Sequence, residues 1–253
     1  MTRRPAALAA ALFAASAGLV VPPSLAEGKP KVRYHQNWAK RPSARYAAMS
    51  AARCKAELTA RGVAFSPVER APGVLAPVRL PEGVGGVIYR TEAPAHQRGH
   101  GPHDVVDCRL ALALSDFSKI LRAHGVSEVR MSSAWRPAPA AGRPGEPATR
   151  HAGALALDAH RFGKDPVGGG AARTWLDVEQ DFGGALGAPV CESPGGAATG
   201  PPAAPAALEL RALVCEAAAQ HLFTVILTPN YDRAHKNHLH LEVTPGVQWE
   251  LMR

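Results

Sequence analysis

The chain has no glycine-rich phosphate cradle: neither a strand–GxGxxG–helix nor a Walker-type loop occurs in its 253 residues. A nucleotide-dependent enzyme is thereby disfavoured. Only one long apolar run exists, at the very start, which excludes a polytopic membrane protein. The four cysteines include no CxxC pair, so neither a zinc knuckle nor a thioredoxin-like site is indicated. Acidic residues are scarce, 21 against 29 Lys and Arg, giving a net charge of +8 that rules out an acidic solvating chain. No internal repeat is visible, collagen-like or otherwise. What is present is 46% hydrophobic residues with 24 Gly and 23 Pro, a loop-rich composition that still supports one domain of roughly 200 residues. Eleven histidines carry most of the chemical information.

Arg3 and Arg4 precede the apolar stretch Ala6–Val21, and Ser24-Leu25-Ala26 places small residues at a cleavage site. Residues 1–26 therefore read as a secretory signal peptide, too short in its apolar part for a retained anchor. The mature chain carries about +6 and is expected in the periplasm or outside the cell. Export makes disulfides the expected state of Cys54, Cys108, Cys191 and Cys215. Of the three possible pairings, Cys191–Cys215 together with Cys54–Cys108 is favoured, the first closing the Pro/Gly/Ala segment 192–205. Residues 27–45 read as a basic, solvated N-terminal arm, and residues 46–253 as a single domain.

Ser43 is positioned to cap a helix running to Arg61, with Tyr46, Met49, Ala52 and Leu58 inward and Gly62 as its stop. Short strands are expected at Val63–Phe65, Val78–Leu80 and Val84–Tyr89. His96, His100 and His103 fall among glycines and a proline, which indicates a polar surface loop rather than a metal-binding helix. Leu110, Leu114, Phe117 and Leu121 recur at helical spacing between Asp107 and Gly125, predicting a helix over Cys108–His124. Strands follow at Glu128–Ser133 and Ala154–Phe162, with a loop over 137–147 between them. A helix over Pro205–His221 has Leu210, Leu213, Val214 and Ala217 inward. Strands at Phe223–Pro229 and His238–Val243, joined by a turn at Asn230-Tyr231-Asp232, close the chain. Helices interleaved with short strands, without long βαβ units, imply an α+β fold with a mainly antiparallel sheet and flanking helices.

Two clusters bear chemistry: Thr149 to His160 (TRHAGALALDAH) and His235 to Glu242 (HKNHLHLE). In the second, strand periodicity puts His238 and His240 on one face and Leu239 and Leu241 on the other. In the first, Asp158 shares a face with Ala154, Ala156 and His160. His151 lies seven residues from Asp158, so a straight strand would separate them, and Gly153 offers a place to bend the chain. One carboxylate and two imidazoles make a three-ligand zinc site with a fourth position free for catalysis. Taken singly, an HxH strand or an HxxxxxxD spacing is more often an ordinary polar face.

The stretches DCRLALAL, SSAWRP, RHAGALALDAHRF, LDVEQDF and LTPNYDRAHKNHLHLEV, within residues 107–243, resemble the extensin-like C-terminal domain family of bacterial exported proteins. More remotely they resemble the zinc D-Ala-D-Ala carboxypeptidases and murein endopeptidases, whose pattern is SxHxxGxAxD followed by ExxH or HxH. His151, Ala156 and Asp158 match in register. Thr149 replaces the serine, Ala154 the glycine, and Asn237 the glutamate, while the endopeptidase HxH is intact. The resemblance implies a carboxypeptidase-like core of the type shared with Hedgehog domains. It also implies zinc (Zn2+) held by His151, Asp158 and His240, with His238 as general base or stabiliser of the tetrahedral intermediate. Arg136 would orient a substrate carboxylate or the oxyanion, and the chemistry would be Lewis-acid polarisation of an amide with a zinc-activated water. Asp181, Glu179 and Asp232 are reserve acids for the replaced glutamate. His235 and His160 are expected behind the ligands or exposed, and Trp135 either walls the cleft or packs in the core.

The function this implies is amide hydrolysis in peptidoglycan peptides, of D,D-carboxypeptidase or endopeptidase type. The replaced glutamate keeps open an alternative, a non-catalytic wall- or glycan-binding module that retains the metal pocket. A metal-dependent nuclease is disfavoured: the basic surplus lies mostly in the arm, and no base-stacking aromatic series accompanies the histidines. No nucleic-acid partner is expected, and no membrane anchor once the signal is removed.

Overall fold

The computed structural model describes residues 33–34, 37–137, 147–166, 172–191 and 203–253, all within one unit spanning Val32–Arg253. The expected signal peptide and most of the loops at 137–147 and 192–205 lie outside these residues. In chain order the elements are β1 (Arg33–Tyr34), α1 (Pro42–Ala47), α2 (Ala51–Ala60), β2 (Ser66–Pro67), β3 (Pro77–Arg79), β4 (Ile88–Thr91) and β5 (Val106–Asp107). They continue with α3 (Cys108–Ala123), β6 (Val126–Met131), β7 (Ala156–Lys164), β8 (Thr174–Asp177) and α4 (Val178–Asp181). The last are α5 (Pro205–Ala219), β9 (Val225–Leu227), β10 (Leu239–Glu242) and β11 (Trp249–Met252).

The main sheet runs β1-β11-β9-β10-β7-β6-β4, with β8 beside the far half of β7. Pairing is antiparallel except for β4 with β6 and β9 with β11, so the fold is α+β with a mainly antiparallel sheet. Strands β2, β3 and β5 form a small second sheet. Leu157, Ala159, Leu239 and Leu241 point from β7 and β10 into the main core, where they join Leu110, Leu114 and Phe117 of α3 and Leu210 and Leu213 of α5. Period-two alternation then leaves Asp158, His240 and Glu242 on the opposite face, away from the helices.

The α3 stripe is as expected, Asp107 caps the helix by accepting from Arg109 N, and Gly125 ends it at φ +76°. Leu112, Ala111 and Ala113 are buried as well, because α1, α2 and α5 pack around α3 as the sheet does. Both favoured disulfides are present, Cys54–Cys108 joining α2 to α3 and Cys191–Cys215 tethering the 183–191 loop to α5. The two disulfides are compatible with an exported protein, and no helix among the described residues is long and apolar enough to cross a membrane.

Several expectations are corrected. The helix expected over 43–61 is two, broken at 48–50, and Ser50 rather than Ser43 is the cap, accepting from Arg53 N. Ser43 is buried instead against Glu250, and Ala52 faces solvent while Cys54 takes the inward position. Residues 63–65 form no strand; β2 begins at Ser66. The described part of the expected arm is partly docked: Arg33 and Tyr34 pair with Glu250 and Trp249 and Arg41 forms an ion pair with Glu250, while Asn37, Ala39, Lys40 and Arg45 are exposed. The strands near 84–89, 128–133 and 154–162 are shifted by two to four residues, because glycine turns and a bulge, not hydrophobic alternation, set their ends.

Candidate metal centre

His151, Asp158 and His240 converge, with one potential ligand atom from each lying within 4.8 Å of the others. Asp158 and His240 are cross-strand partners on β7 and β10, so register alone places them together. His151 arrives by a tight turn over Arg150–Gly153. The bend is not made by Gly153, whose φ is not positive. It is made by Arg150 and Ala154, both left-handed at φ 52° and 53°. Gly153 serves close approach instead, since a Cβ there would stand 2.1 Å from the Ala148 carbonyl oxygen.

The segment Ser132–Arg136 grips both ligands from the neighbouring strand end. Ser132 N donates to the Asp158 carbonyl and Asp158 N to that of Ser133. The Ala134 carbonyl accepts from His151 Nδ1 at 2.9 Å, and Arg136 N donates to the His151 carbonyl at 3.0 Å.

His151 carries a proton on Nδ1, because a carbonyl only accepts, and its Nε2 faces Asp158 Oδ1 at 3.1 Å. His240 stands between two carboxylates, with Nδ1 3.0 Å from Asp158 Oδ1 and Nε2 3.1 Å from Glu242 Oε2. His238 Nδ1 donates to Asn237 Oδ1 at 2.9 Å, and its Nε2 stands 3.5 Å from Asp158 Oδ1. Three imidazole nitrogens thus surround one carboxylate oxygen, an arrangement that a proton shared with a ring or a bound cation can hold together. The donor set, two imidazoles and one carboxylate each with an outer partner, has the chemistry that would suit zinc.

Electrostatics agree. Burial raises the Asp158 carboxyl, but hydrogen bonds and charge from His151 and His240 outweigh it and hold the group far below the carboxylate range. Burial lowers His240, and its bonds to Asp158 and Glu242 reverse this, leaving it raised. Burial dominates at His238, pushing it down to about 4, so it is neutral at pH 7. Glu242 is 3% exposed and held by Thr244 Oγ1, whose own anchor is Thr224.

Arg136 lies at the centre, pairing with Asp158 Oδ2 and donating from Nε to Ser133 Oγ at 2.7 Å, with half its side chain exposed. The reserve acids are engaged elsewhere. Asp181 accepts from Asp177 N, Glu179 pairs with Lys236, and Asp232 caps the 233–235 turn while bonding His235 Nδ1 at 2.7 Å. The His235 ring is 5.1 Å from His238 and 5.8 Å from His240. His160 is the extra residue of a bulge, since Arg130 pairs with Arg161 and Met131 with Ala159. Trp135 packs with Ala71, Val105 and Ala154 in a small buried cluster rather than walling a cleft. His96, His100 and His103 are exposed, as a surface loop requires. Sequence reasoning missed Glu242 and the Ala134 carbonyl as outer partners. The carboxylate two residues past His240, on the same strand face, is a signal that could have revealed the first.

Residues 205–253, about a fifth of the chain, match the family described as Extensin-like protein C-terminus. The match supports the extensin-like family. The extensin-like segment covers α5 to β11 and carries His235, His238, His240 and Glu242, while His151 and Asp158 precede it. No curated protein and no solved structure matches the chain.

Proposed function

We propose that this is an exported zinc-dependent peptidase-like protein that hydrolyses an amide bond in cell-wall peptides, of D,D-carboxypeptidase or endopeptidase type, on a carboxypeptidase-like core. The observation that carries the reading is the convergence of the His151, His240 and His238 ring nitrogens on Asp158 Oδ1. In this reading His151 Nε2, Asp158 Oδ1 and His240 Nδ1 hold the zinc. Bound zinc would supply Lewis-acid polarisation of the amide carbonyl and of water.

The remaining steps belong to the chain. His238, with its proton on Nδ1 held by Asn237, takes a proton from water at Nε2 and returns it to the leaving amine. Arg136 uses Nε and Nη2 to hold Ser133 and Asp158, leaving Nη1 to meet a substrate carboxylate or the developing oxyanion. Asn237 favours a second reading. With no carboxylate at that position, the same pocket suits a wall-binding module that cleaves nothing.

Zinc-loaded protein incubated with muropeptides and followed by mass spectrometry separates the two. The peptidase reading expects loss of a D-alanine or scission of a cross-link, reduced by about 100-fold or more in His238→Ala. Intact muropeptides retained on zinc-loaded protein would establish the binding module.

A further inference from the structure

On the helical side of the molecule, away from the metal centre, a cavity of about 400 Å³ opens between α1, the start of α2 and the turn before β11. Trp38 forms one side; Ala44, Ala47, Ala48 and Met49 form the floor; Arg45 and Arg53 stand at the rim. Its lining contains no aspartate or glutamate. The exposed Arg45 and Arg53 guanidinium groups have no ion-pair or hydrogen-bond partner among the described residues, whereas the other arginines of this region do. Arg41 packs over the Trp38 ring at 5.8 Å and is itself fixed by Glu250, so the indole is held in place before anything binds.

We propose that this cavity is a second binding site, for an acidic sugar. A pyranose has a flat C–H face that suits an indole, and the carboxylate of an acidic sugar would find two arginines without another partner among the described residues. Gln248 adds an amide for the ring hydroxyls. The volume is that of a small-molecule site, and an unpaired pair of cations beside an apolar floor selects an anion with an apolar face over a neutral sugar or a bare ion. The inference rests on no part of the metal reading.

Isothermal titration of the purified chain with N-acetylmuramic acid, N-acetylglucosamine and inorganic phosphate tests it. N-acetylmuramic acid is expected to bind one per chain, and the other two at least about tenfold more weakly. The double variant Arg45→Gln/Arg53→Gln should bring it down to the level of the neutral sugar, and Trp38→Ala should weaken it while leaving the thermal midpoint close to that of the parent. Equal binding of the neutral sugar, phosphate binding as tight as N-acetylmuramic acid, or undiminished binding in the variants would each overturn the proposal. So would no detectable binding of N-acetylmuramic acid.

Discussion

Replacing Glu242 with glutamine keeps the side chain's shape but removes the charge that faces His240 Nε2. Zinc affinity should then fall by roughly 10- to 100-fold, read by competition with a chromophoric chelator; unchanged affinity would show that Glu242 does not support the ring. At the turn into β7, Gly153→Ala forces a methyl to 2.1 Å from the Ala148 carbonyl and should cost roughly 2–4 kcal/mol in urea unfolding. Ala154→Gly relieves a left-handed alanine and should be neutral or stabilising by up to about 1 kcal/mol. The reverse order of these two effects would mean the bend sits at Gly153 after all. Much of the His/Asp cluster was legible because strand alternation and the HxH spacing put Asp158 and His240 on one face. The bend was not legible: a left-handed Ala154 is set by the carbonyls around it, and no residue type announces it. Glu242 was hidden for a similar reason, since its role depends on which nitrogen of His240 faces Asp158.

Between elements, the two disulfides divide the stabilisation by loop size. Closing separations of 54 and 24 residues corresponds to about 4 and about 3.5 kcal/mol in the chain-entropy model. Paired Cys→Ala variants in urea denaturation should therefore both lose several kcal/mol, with Cys54/Cys108 losing the same or slightly more. A negligible loss from the Cys54/Cys108 pair would contradict this. Helix α3 and helix α5 were readable from their apolar spacing, because each presents leucines to one sheet. The break between α1 and α2 was not, since Met49 continues the apolar pattern across it and only Ser50's capping bond marks the new start. The strand ends near His160 escaped for a related reason: the bulge moves the alternation by one residue, and Phe162 rather than Arg161 then enters the core.

At the scale of the molecule, the sheet separates two faces with different work. One packs α3 and α5 into the main core; the other carries the histidines and Asp158. On the helical side, Asp116 of α3 ties α1 and the end of α2 through Tyr46 and Arg61. Burial raises its carboxyl, but bonds from Lys119 and Tyr46 and the charge of Arg61 leave it lowered overall. A depressed folded-state carboxyl stabilises above its unfolded value of about 4 and loses that contribution as pH falls through the folded value. Asp116→Asn should thus be less stable than the parent at neutral pH and lose less on acidification; parallel acid profiles would contradict this.

The central claim is that the ring nitrogens facing Asp158 are there for a metal ion. Elemental analysis of residues 27–253, after equilibration with zinc and removal of excess, tests it beside the His240→Ala variant. The account predicts close to one zinc per chain in the parent and little in the variant. No zinc in either would contradict it, leaving protons to fill the centre and the histidines as a polar sheet face.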